Sequence, residues 1–74
     1  MIIYVELLNE GTKVYRPVPA IPKGNNSYQL QGFEIYNPED EEWEFLPGTL
    51  VSAENRKLDG IECLIAVKHE ANPL

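Results

Sequence analysis

The chain has 74 residues, 43% of them apolar, and a formal charge of −6 from twelve Asp or Glu against six Lys or Arg. One domain is expected, hiding only about 60% of the surface its unfolded chain exposes, and the apolar fraction keeps it out of the disordered class. The acidic balance argues against direct nucleic-acid binding, which draws most of its affinity from phosphate neutralisation by basic groups, and no apolar run approaches the roughly 18 residues of a membrane span.

Charge is unevenly distributed. Residues 1–38 sum to zero, whereas residues 39–74 hold nine acids against Arg56, Lys57 and Lys68, and positions 39–44 alone supply −5. The single cysteine, Cys63, cannot close an internal disulfide, and Met1 to Glu6 lack the basic start of a secretory leader. Both features favour the cytoplasm.

No stretch keeps a helical period, and Pro or Gly interrupts the chain about every ten residues, so short strands and turns are expected throughout. The first strand runs from Ile2 to Leu8, apolar on both faces as in a closed barrel. Asn9–Thr12 turns it into a hairpin that sets Leu7 opposite Val14, Val5 opposite Arg16 and Ile3 opposite Val18, with Arg16 reaching for the rim.

The second strand, Lys13 to about Ile21, leads into Pro22 and contains Pro17 and Pro19, so it is read as an edge or a departing arm. The same letters, Arg16-Pro17-Val18-Pro19-Ala20-Ile21-Pro22, fit the R-x-x-P-x-x-P pattern of polyproline ligands, but an edge strand explains the apolar residues more simply. Lys23–Ser27 is the next turn. The third strand opens with Tyr28 and Leu30 in phase, then Phe33 and Ile35 fall out of phase, which predicts a bulge or sharp bend at Gly32 within one long strand.

Beyond Asn37-Pro38 lies the acidic run Glu39-Asp40-Glu41-Glu42, followed by Trp43 and Phe45 on one face and Glu42 and Glu44 on the other. The two rings should anchor this loop to the core. Leu46-Pro47-Gly48-Thr49 fits a type II turn and a corner. The last two strands, Leu50–Lys57 and Ile61–His69, flank Leu58-Asp59-Gly60. A three-residue loop is preferred here over a two-residue Asp-Gly turn, because it pairs Val51 with Val67, Ala53 with Ile65 and Arg56 with Glu62.

Little catalytic chemistry is legible. Cys63 and His69 lie six residues apart on one expected strand, roughly 20 Å, too far for a nucleophile and its base. Neither has the local companions of a zinc site, and the acidic run lacks the alternate spacing and central glycine of a calcium loop. No metal, cofactor or catalytic residue is assigned.

The segments Tyr4–Thr12, Val14–Val18, Glu41–Phe45 and Pro47-Gly48 together resemble a group of small bacterial proteins of uncharacterised function, and this resemblance carries no activity across. The order of strands is similar to a Src-homology-3-like barrel, which implies architecture alone. The expectation is therefore an all-β antiparallel barrel or orthogonal sandwich of five or six strands over residues 1–70, with a frayed tail at 71–74. The expected function is a non-catalytic interaction module, such as an inhibitor or immunity-type protein, presenting Glu39, Asp40, Glu41, Glu42 and Glu44 to a basic protein partner. Two alternatives stand beside it: a small-molecule site or enzyme in the barrel mouth using Tyr15, Tyr28 or Tyr36, and a homo-oligomer built through exposed strand edges.

Overall fold

The computed structural model describes residues 1–69; the frayed tail expected at 71–74 lies outside the described residues. The described residues form six strands: β1 (Ile2–Leu8), β2 (Val14–Gly24), β3 (Ser27–Leu30), β4 (Glu42–Trp43), β5 (Leu50–Leu58) and β6 (Ile61–Lys68). They form one sheet in which β1, β2, β3, β5 and β6 close into a ring, and β4 pairs with the C-terminal end of β1 on the side away from β2, which β6 meets at Tyr4. Every pairing is antiparallel except β1 with β6, which run parallel and meet at Tyr4 and Ile65.

The alternation of β1 closes the ring around Ile3, Val5 and Leu7. With Val18, Ala20, Leu30, Trp43, Val51 and Ala66 they form one interior cluster, against which Tyr28, Tyr36, Phe45 and Leu64 pack. The first hairpin has the register read from sequence, with Leu7, Val5 and Ile3 opposite Val14, Arg16 and Val18.

Strand β2 differs from its expected place at an edge. It is paired on both sides, but each half uses only one side: residues up to Pro19 pair with β1, and Ala20–Gly24 pair with β3. The Ala20 amide donates to the Met1 carbonyl at 2.8 Å, which fixes the even-numbered amides of the first half toward β1. Pro17 and Pro19 therefore occupy the non-hydrogen-bonded positions opposite Tyr4 and Ile2, their nitrogens turned away from β1, on the side where the Pro19 carbonyl accepts from the Gln31 amide at 2.8 Å. By the same alternation Pro22 turns its nitrogen toward the side of β1, beyond where β1 begins. The prolines did mark missing donors; the strand accommodates them by changing partners midway.

Turns follow local chemistry closely. Asn25 and Asn26 both take φ of 54° between the paired Gly24 and Ser27, a two-residue turn of the kind whose twist matches the flanking strands. The Thr49 amide donates to the Leu46 carbonyl at 3.1 Å and Gly48 has φ of 89°, as a type II Pro-Gly turn requires. This turn carries the chain from β4, beside β1, to β5, beside β3.

Two expectations are corrected. The third strand does not continue past Gly32: it ends at Leu30, Gly32 takes φ of 88°, and the Ile35 and Tyr36 amides both donate to the Gly32 carbonyl. A bend is present at Gly32, but it starts a tight coil and leaves Phe33 and Ile35 at the surface.

The final hairpin takes the two-residue turn, with Asp59 and Gly60 at φ of 51° and 82°, so Leu58 pairs with Ile61, Ala53 with Ala66 and Glu54 with Ile65. The preference for the other register assumed that β6 buries one face. In fact Ala66 and Leu64 point inward while Ile65, equally buried, packs outside the interior cluster at the crossing with Tyr4. The Arg56–Glu62 pair that favoured the three-residue loop would contribute under about 1 kcal/mol at the surface, less than a twist-matched turn decides. Arg56 instead bonds Glu54 on its own strand at 2.8 Å.

Candidate functional site

The acidic segment begins as a capped turn. The Asn37 side-chain oxygen accepts from the Glu39 amide at 3.0 Å, and its carbonyl accepts from the amides of Asp40 and Glu41. Its side-chain amide also donates to Asp40 at 3.1 Å. Asn at the cap, Pro next and acids in the first turn is a pattern the sequence displays and that suits helix-start geometry.

Trp43 fixes the other end. Opposite Leu7 in the β1–β4 pair, it is 2% exposed, and Tyr36 meets it edge to face with ring centroids 4.9 Å apart. Phe45 packs against the same core. Between the two anchors, Glu41 turns back toward the protein: Arg16 Nε and Nη2 donate to its two oxygens at 2.6 and 2.5 Å, and Trp43 Nε1 donates to Oε1 at 3.1 Å.

The five carboxylates selected from sequence thus do not share one surface. Glu39, Asp40 and Glu42 are exposed, Glu42 accepting from Asn9 at 2.6 Å, and none of the three forms an ion pair among the described residues. Glu41 is consumed in holding the loop. Glu44, also exposed, lies on the same face of β4 as Glu42 but next to Glu6, in the field of Glu6, Lys13 and Arg56; partial burial first, then the Glu6 charge, pushes its carboxyl above the ordinary range. Sequence reading placed Arg16 at the rim but missed its partner. The available signal was an inward guanidinium on β2, which has to find a carboxylate, and the acidic run was the richest source.

The Arg16 hydrogen bonds hold the Glu41 carboxyl below the ordinary range, outweighing burial, which acts the other way. Since the folded state lowers this pKa, the pair contributes stability above the unfolded carboxylate pKa and loses it as pH falls through the folded one. Glu41→Gln should therefore flatten the acid limb of a stability-against-pH curve measured by urea unfolding. An unchanged acid limb would show that the pair adds nothing to folding.

Other candidates are kept apart. Cys63 Sγ contacts the Ile61 carbonyl, while His69 Nδ1 shares a hydrogen bond with Ser52 at 3.0 Å. Among the described residues no group of three or more His, Cys, Asp or Glu is placed to hold a metal ion, and no helix is long and apolar enough to cross a membrane. Tyr15, Tyr28 and Tyr36 do not converge. Tyr28 and Tyr36 pack on the core, and Tyr15 lines an open cleft of about 730 Å³ between the two long hairpins, with Tyr4, Arg56, Leu58 and Ile61. Arg16, the basic residue of the R-x-x-P-x-x-P segment, is held by Glu41, and that segment is strand β2.

Comparison with known proteins found no matching family model, no matching curated protein and no matching solved structure.

Proposed function

We propose that this protein is a non-catalytic interaction module on a Src-homology-3-like barrel, which offers the anionic lip formed by Glu39, Asp40 and Glu42 to a basic protein surface. The observation supporting this reading is the Arg16–Glu41–Trp43 clamp: one acid of the run is spent on rigidity, and the remaining three, on a braced turn, form no ion pair among the described residues. Bracing matters because a loop already held in place loses little entropy on binding. Opposed charge chiefly accelerates encounter and selects the partner.

The combined variant Glu39→Gln, Asp40→Asn and Glu42→Gln, which leaves Glu41 intact, tests it. Capture of basic partners from the native host should drop several-fold at low salt with unfolding unchanged, and the difference should shrink at high salt. Equal capture by both proteins at low salt would remove the proposal.

A further inference from the structure

We propose that the uncharged row of side chains running across the outer face of β1, β2, β3 and β5 is a self-association surface on which a second copy of this chain docks about a twofold axis. The face can be traced through the strand register. Ile2 stands opposite Pro19, Ile21 follows two residues along the same strand, Gln29 stands opposite Ile21, and Leu50 stands opposite Gln29. Residues directly opposed, or two apart on one strand, share a side of the sheet. The alternate positions Ile3, Val18, Ala20, Leu30 and Val51 fill the interior, so this row points outward.

The coil after Gly32 extends the face. Phe33 and Ile35 line a shallow depression with Pro19, and the Phe33 ring lies against Gly48. Ile2, Ile21, Phe33, Ile35 and Leu50 are 48%, 45%, 66%, 47% and 43% exposed.

The area is what a twofold dimer needs. At about 200 Å² for a fully exposed large apolar side chain, these five leave roughly 500 Å² in water. A standard interface buries about 800 Å² per partner, and in homodimers about 65% of that is apolar, or roughly 520 Å².

Charge also favours a second copy. Two chains of −6 repel, so contact is easiest where neither carries charge, and this row carries none. The anionic lip joins the barrel at Leu7 and Leu8, the other end of β1 from Ile2. Ile2 therefore stands roughly 17–20 Å from the lip, beyond the Debye length of about 10 Å at 0.1 M salt, while the Phe33–Ile35 end of the face is nearer to it. Two charges border the face, Lys23 beyond Ile21 and Glu34 between Phe33 and Ile35, and neither forms an ion pair among the described residues. A twofold contact lets each chain's Lys23 meet the other's Glu34.

Sedimentation equilibrium from micromolar to millimolar chain tests the proposal. The parent should pass from monomer to dimer, more readily as salt screens the repulsion, a salt response opposite to that of capture by the acidic lip. Ile21→Lys and Phe33→Glu, made separately and checked for folding by Trp43 fluorescence, should each weaken the dimer about tenfold or more. Ile61→Lys, at a side chain just as exposed but on the last hairpin's tip, should leave it unchanged. A single-chain mass at millimolar concentration overturns the proposal, as does a dimer that both face variants leave intact or that Ile61→Lys disrupts equally.

Discussion

Replacing Trp43 with alanine should reduce the free energy of unfolding by about 3–5 kcal/mol, as is usual when a large aromatic side chain is removed from a core. A 74-residue domain has only about 4–11 kcal/mol in total, so the variant should sit at the margin of folding. Three losses coincide at this position. The indole is buried where Leu7 lies opposite it, Tyr36 loses its edge-to-face neighbour, and the Glu41 oxygen loses one donor. Trp43→Phe separates these contributions, since it keeps an apolar ring but not the N–H; it should lose clearly less than the alanine variant. Chemical unfolding followed by far-ultraviolet circular dichroism reads both. If the alanine variant unfolds at the parent's denaturant midpoint, Trp43 does not hold the acidic loop to the barrel.

Gly32→Ala should be the most damaging of the glycine substitutions, at about 2–5 kcal/mol, because two separate penalties meet there. Its φ of 88° disfavours any side chain by about 1–2 kcal/mol. The added methyl would also stand 3.1 Å from Trp43 Cη2 and 3.2 Å from Val18 Cγ1, both buried, and crowding of a packed core costs about 1–3 kcal/mol. Gly60→Ala supplies the control, since it meets the same backbone penalty at φ of 82° with nothing within 4 Å of the new methyl. Equal denaturant midpoints for the two variants would mean that the close approach of Trp43 to Gly32 contributes nothing.

These two residues also show what the sequence could and could not convey. Trp43 and Phe45 alternate with acids, and that pattern alone identified a segment anchored by its rings. Gly32 was visible as a break in phase, but phase cannot distinguish a bulge, after which a strand resumes, from a bend that ends it. The hydrogen bonds of Ile35 and Tyr36 back to Gly32 decide for the bend, and they are a tertiary outcome. The final hairpin departs from its expected register for a similar reason: alternation implies one buried face for β6, whereas ring closure covers Ile65 on one face and Ala66 on the other. Within the acidic run the letters gave a concentration of charge but not its division, because Glu41 is separated from Glu39 and Asp40 only by an arginine 25 residues away.

The switch of partners along β2 has an implication for the misfolded states open to this chain. A strand whose amides lie bare is a template onto which further copies can add without end, the first step toward fibrils. On β2 the flank of the first half carries Pro17, with the Pro19 carbonyl already taken by the Gln31 amide, and the flank of the second half carries Pro22, so an incoming backbone would find few donors there. The prolines that let one strand serve two neighbours therefore leave it a poor seed for amyloid growth.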